Sequence, residues 1–130
     1  MTGIDTNVLL RYIVRDDPAQ TPKSDKLLDG FTKERPGFIC TVALAEVAWA
    51  LRSNYRMPKK NLIECLEALL RSRNLVIENE PVVRLGLDLY RNSKADFADC
   101  IIERTGRFAG CKRTVTFDGE AAKSAGMELL

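Results

Sequence analysis

Short strand-like runs alternate with longer helical ones along the whole chain, and this alternation restricts the fold more than any other feature. The strand-like runs lie around Thr2 to Asp5, Phe38 to Cys40, Leu75 to Ile77, Thr114 to Thr116 and Met127 to Leu130. Between them apolar residues recur at helical spacing, as in Val8, Leu9, Tyr12 and Ile13, or Leu62, Ile63, Leu66, Leu69 and Leu70. Strands separated by helices argue a parallel sheet with right-handed crossovers and helices on both faces. The expectation is a three-layer α/β/α domain around a central parallel sheet of four to five short strands. With 130 residues the chain suffices for one such domain, residues 1–130.

Punctuation marks the helices. Asp16-Asp17-Pro18 ends the first, and a second is expected from Pro18 to about Thr32. Arg35-Pro36-Gly37 is a turn, after which Thr41 is expected to cap a third helix reaching about Asn54. Met57-Pro58 opens the fourth. Its leucine stripe reads as a buried core face or as a docking surface. Glu80-Pro81 opens a fifth and Ala95-Asp96 a sixth, reaching about Arg107. A short helix is expected from Gly119 to Ser124.

Composition removes several chemistries. The chain has no histidine, so neither a Ser-His-Asp nor a Cys-His arrangement can form. Cys40, Cys65, Cys100 and Cys111 include no CxxC pair, which leaves zinc without a ligand cluster. They read as small buried hydrophobes in a reducing cytoplasm. No stretch has the length of a membrane span, and the first residues lack the pattern of a secretory signal. A net charge of +2 is too small to argue nucleic-acid binding by itself. Carboxylates and a metal ion remain as the means for hydrolysis.

Open parallel sheets bind ligands beyond the carboxyl ends of their strands, and acids fall there. Asp5 closes the first strand and either caps the helix that follows or faces the crevice. Glu46 is the one charged residue between Val42 and Leu51. A helix apolar all round is a buried helix, so Glu46 is expected to be a buried carboxylate, either clamped by an arginine or engaged in metal binding or catalysis. Asp96, Asp99 and Glu103 share one helical face, with Phe97, Ala98, Ile101 and Ile102 opposite. Asp118 follows the fourth strand, where a cap or turn is the alternative use. Converging carboxylates repel one another unless a cation is present, and such hard oxygen donors suit magnesium or manganese rather than zinc. That chemistry fits phosphodiester hydrolysis.

Four segments, in order, resemble the motifs of the PIN-domain family and in particular its VapC-type toxins. They are Gly3-Ile4-Asp5-Thr6-Asn7-Val8-Leu9-Leu10-Arg11-Tyr12, Thr41-Val42-Ala43-Leu44-Ala45-Glu46-Val47, Ala95-Asp96-Phe97-Ala98-Asp99-Cys100-Ile101-Ile102 and Thr114-Val115-Thr116-Phe117-Asp118. Cys100 stands where alanine is common in that family. The resemblance implies a magnesium-dependent endoribonuclease, the toxin of a type II VapBC-type toxin–antitoxin pair, hydrolysing RNA through water activated at the metal. It maps the acidic quartet onto Asp5, Glu46, Asp99 and Asp118, with Asp96 as a further metal ligand. Thr6, Asn7 and Thr116 match polar motif positions that orient ligands. It also implies a VapB-type antitoxin and a homodimer in the cytoplasm. Arg11, Arg52, Arg56, Lys59, Lys60, Lys112 and Arg113 are candidates for phosphate contact or for ordinary solvated charge. Two other readings are a non-catalytic PIN-fold module that binds RNA or protein, and a magnesium-dependent phosphatase. Against the second, Asn7 stands where one phosphatase family would want an aspartate.

Overall fold

A computed structural model describes residues 1–130. The element order is β1 (Thr2–Gly3), α1 (Thr6–Val14), α2 (Thr21–Asp29), β2 (Gly37–Ile39), α3 (Thr41–Ser53), α4 (Lys59–Arg71), β3 (Leu75–Ile77), α5 (Glu80–Arg91), α6 (Phe97–Phe108), β4 (Val115–Thr116), α7 (Gly119–Ser124) and β5 (Glu128–Leu129). The chain forms two compact units, Met1–Glu78 and Asn79–Leu130. None of its helices is long and apolar enough to cross a membrane.

In the first unit β1, β2 and β3 form a parallel sheet in that order. Thr2 pairs with Gly37, and Gly37 in turn with Leu75. The middle strand approaches its surroundings closely because residue 37 has no side chain. A Cβ there would lie 2.6 Å from the Phe31 ring and 2.7 Å from Ile4 Cδ1. The core gathers Ile4, Leu9, Ile39, Val47, Leu51, Leu62 and Leu66, all nearly inaccessible. The leucine stripe of α4 (Leu62, Leu66, Leu69, Leu70) is buried, as a core face should be.

Several boundaries differ from the sequence expectation. α2 begins at Thr21 rather than Pro18, because Asp17 Oδ1 accepts the Ala19 and Gln20 N–H groups at 2.9 and 2.8 Å and holds a turn ahead of the helix. α1 ends at Val14, and its C-cap residue Arg15 takes the left-handed conformation (φ 63°). Its guanidinium grips Asp25 through two bonds of 2.7 Å. Thr41 does not cap α3. Cys40 occupies the N-cap position without a side-chain cap bond, and Glu78 Oε1 receives the Thr41 N–H at 2.8 Å.

In the second unit α5 packs extensively on α6. Gly86 makes room for this, since a Cβ there would lie 2.5 Å from Ile101 Cδ1. Tyr90 meets Phe97 edge to face at 5.7 Å. β4 and β5 pair in parallel, Val115 with Glu128 and Thr116 with Leu129. All strand pairs are therefore parallel, as expected of this α/β order, but the strands are two or three residues long and pair as a group of three and a group of two. The cysteines form no disulfide. Only Cys100 is fully buried; Cys40 and Cys65 are half-buried and Cys111 is exposed. Cys111 follows Gly110 (φ 96°) in the turn that leaves α6, where the chain has no core to enter.

Candidate functional site

The candidate acids of the first unit are Asp5, at the start of α1, and Glu46, within α3. Asp5 closes β1 and is the N-cap residue of α1, with an extended backbone (φ −78°, ψ 157°), yet its carboxylate makes no cap hydrogen bond. The side chain is exposed and uncommitted. The next residue, Thr6, donates its hydroxyl to Glu46 Oε1 at 2.9 Å. This bond joins α1 to α3 and fixes the Glu46 carboxylate beside the start of α1. Asn7 is exposed.

Glu46 is not buried, contrary to expectation. α3 buries Ala43, Leu44, Val47, Ala48 and Leu51 on one side only. The opposite stripe carries Val42 and Trp49, 69% and 57% exposed, with Glu46 between them. Apolar residues on that stripe made the helix look buried all round, although they lie at the surface. The partner of Glu46 is a threonine hydroxyl rather than an arginine.

In the second unit the arginine-clamped buried acid does exist, and it is Glu103. Its side chain is 3% exposed and takes Arg104 NH1 at 2.6 Å and Arg107 Nε at 3.1 Å. Glu103 is therefore buried, although its spacing puts it on the same helical face as Asp96 and Asp99. Ile102, expected on the packed side, is 53% exposed. The arginines at one and four residues beyond Glu103 were the signal for this clamp.

Asp96 and Asp118 both lie close enough to Asp99 for their charges to act on it. Asp96 is the N-cap residue of α6 and makes no side-chain cap bond. Asp99 lies in the first turn, half-buried. Its carboxyl is pushed above the ordinary carboxylate range, first by burial and then by the negative charges of Asp96 and Asp118, against a smaller opposing pull from the Asp96 backbone amide. Asp118 does cap α7: its Oδ1 accepts the Glu120 and Ala121 N–H groups at 2.8 and 3.2 Å, which leaves Oδ2 outside the cap. Thr116 Oγ1 accepts the Asp118 N–H at 3.0 Å and fixes the turn that presents it.

These donors are hard oxygens and suit a magnesium-type ion, which keeps several waters and needs few protein ligands. Neither unit brings three acidic or thiol side chains close enough together to hold an ion between them. The cavity of about 570 Å³ in the first unit, lined by Tyr12, Leu28, Cys65 and Leu69, contains neither Asp5 nor Glu46.

The basic candidates divide by what already holds them. Arg11 is committed to Gln20 (2.8 Å), Tyr55 (3.3 Å) and Asp16 (3.5 Å) within its own unit. Arg52 donates to the Met57 carbonyl at 2.9 Å. Arg113 meets Glu128 at 2.6 Å. Arg56, in the left-handed conformation (φ 51°), and Lys112 are exposed.

Comparison with known proteins bears on these residues. The PIN domain profile matches residues 4–126. A VapC ribonuclease of Aquifex aeolicus (strain VF5) is 23% identical over 128 residues, covering 98% of this chain and 94% of the relative.

Proposed function

The chain belongs to the PIN domain family, and on that premise we propose that it is a VapC-type endoribonuclease, the toxin of a VapBC-type toxin–antitoxin pair. The likeness to a VapC ribonuclease over nearly the full length of both chains supports the reading. The observation that carries it is the state of Asp99: a half-buried carboxyl pressed by two neighbouring carboxylates, in a position that a divalent cation would relieve.

In this reading Asp96, Asp99 and Asp118 would supply oxygens to magnesium or manganese, Asp118 through the oxygen not engaged in its cap. Such an ion supplies charge neutralisation for the phosphate and makes water more acidic. Asp5 is a further candidate acid of the reading, its carboxylate left free by the absence of a cap bond. Glu46 positions the attacking water, and the Thr6 hydroxyl holds it in orientation. Thr116 sets the backbone of Asp118. The exposed Arg56 and Lys112 are better placed for phosphate contact than Arg11 or Arg52, whose guanidinium groups already have partners. Residues 1–130 act as a single PIN domain in the cytoplasm, as a homodimer restrained by a VapB-type antitoxin.

The test is cleavage of mixed cellular RNA by the purified protein with added magnesium. The parent should cleave; Asp5→Ala, Glu46→Gln and Asp99→Ala should each lose on the order of a hundredfold or more, as expected for loss of ligands or of electrostatic support; EDTA should abolish cleavage. Equal activity in all four proteins, or activity in EDTA, would refute the proposal. The second reading, a non-catalytic PIN module, is favoured by the lack of a three-ligand group within either unit. Magnesium binding by calorimetry in the parent and its loss in Asp99→Ala would exclude it.

A further inference from the structure

A pocket lies at the end of α6 away from Asp99. Asp99, Glu103 and Arg107 are spaced by four residues and so lie along one side of the helix. Where this side approaches the 111–114 segment and the start of β5, it borders a pocket of about 320 Å³. Arg107, Lys112, Arg113 and Thr114 line it together with Glu103 and Glu128.

The residues differ in how firmly they are fixed. Glu103 is buried and grips Arg107 Nε at 3.1 Å, while the Arg107 side chain remains 66% exposed. A guanidinium anchored through one nitrogen has its other N–H groups free to meet a ligand oxygen. Lys112 is exposed and makes no ion pair. Arg113 is held by Glu128 at 2.6 Å, but both partners are more than half exposed. Pairs of that kind contribute little stability, so Arg113 can exchange Glu128 for a stronger anion.

We propose that this pocket binds a backbone phosphate of the RNA strand, with Arg107 and Lys112 as direct contacts and Arg113 recruited from Glu128. Arg107 lies eight residues beyond Asp99 in sequence, about 12 Å along the helix axis at 1.5 Å per residue. The phosphate it takes is therefore a neighbour of the scissile one rather than the scissile one itself. Glu103 is a positioning residue, acting through Arg107. This inference rests on the ribonuclease reading.

The experiment is fluorescence anisotropy of a labelled oligouridine with the full chain in EDTA, repeated over a series of salt concentrations. Lys112→Ala and Arg107→Gln should each weaken binding and reduce the slope of log affinity against log salt by about one. Glu128→Gln should tighten binding by releasing Arg113, an outcome that loss of structure would not give. Thermal melting monitored by circular dichroism identifies any variant that fails to fold. Should Arg107→Gln be such a case, the exposed Lys112 and Glu128 still decide the matter. Variants that bind with the parent's affinity and slope, while the parent cleaves RNA, would overturn the pocket alone. A parent that neither binds nor cleaves RNA would overturn the ribonuclease reading and the pocket with it.

Discussion

A carboxylate that folds into partial burial beside two others gives up stability, and Asp99 does so in the first turn of α6. Its folded-state pKa is raised, so the folded chain holds the Asp99 proton more tightly than the unfolded one. The contribution to stability is then most favourable at acid pH and falls as pH rises through the raised pKa, levelling off above it. Asp99→Asn should therefore melt higher than the parent at neutral pH in EDTA, with the gain shrinking toward acid pH. Thermal melts across pH will show it, and a variant that melts lower than the parent at neutral pH would contradict the account. Magnesium should raise the parent's melting point and leave the variant's nearly unchanged. Thr6→Val removes the hydroxyl that orients Glu46 and should lower cleavage on the order of tenfold, typical of an outer-shell partner, with little change in melting. At this scale the sequence was informative about residue type and poor about burial. Asp5, Asp96, Asp99 and Asp118 could be placed at strand or helix ends from local pattern alone. Glu46 and Glu103 exchanged environments, because burial depends on which side of a helix meets its neighbours, and Val42 and Trp49 mark the open side of α3 rather than a packed one.

At the scale of elements, the helices follow their periodicity closely and their caps do not. Glu78 closes the N-terminus of α3 from the end of β3, and the Thr41 backbone N–H that it accepts holds its carboxyl below the ordinary range. No local rule finds a cap 37 residues away from the amide it serves. A lowered folded-state pKa stabilises the fold above the unfolded pKa, and that stabilisation disappears as pH falls through the folded value. Glu78→Gln should lower the melting point at neutral pH, and the difference should vanish in strong acid. An unchanged difference at low pH would mean that the charge contributes nothing. Gly37 presents the opposite kind of constraint. Placing a methyl group between Phe31 and Ile4 in the central strand overpacks both, and Gly37→Ala should cost about 1–3 kcal/mol in denaturant unfolding. The strands were also readable, since each strand-like run became a strand, but their lengths and their grouping into three and two were not. Two- and three-residue ladders are set by which neighbours arrive to pair, which is a long-range outcome.

For the molecule as a whole, the match to the PIN domain family runs from residue 4 to residue 126 and so includes every candidate acid. On the proposed reading, the small net positive charge would do little to attract RNA, so the local placement of Arg107, Lys112 and Arg113 would matter more than the total. The order of motifs along the chain makes the family legible from the sequence alone. What the sequence left open was which charged groups are already spoken for, and the ion pairs and caps answer that residue by residue. The central claim is that these acids serve a divalent ion in cutting RNA. It is tested most directly by titrating magnesium into a cleavage assay run in parallel on the parent and on Asp99→Asn. The account predicts cleavage by the parent that rises and saturates with magnesium, and a folded variant that stays inactive at every concentration. A variant that cleaves as the parent does, or a parent indifferent to magnesium, would contradict it.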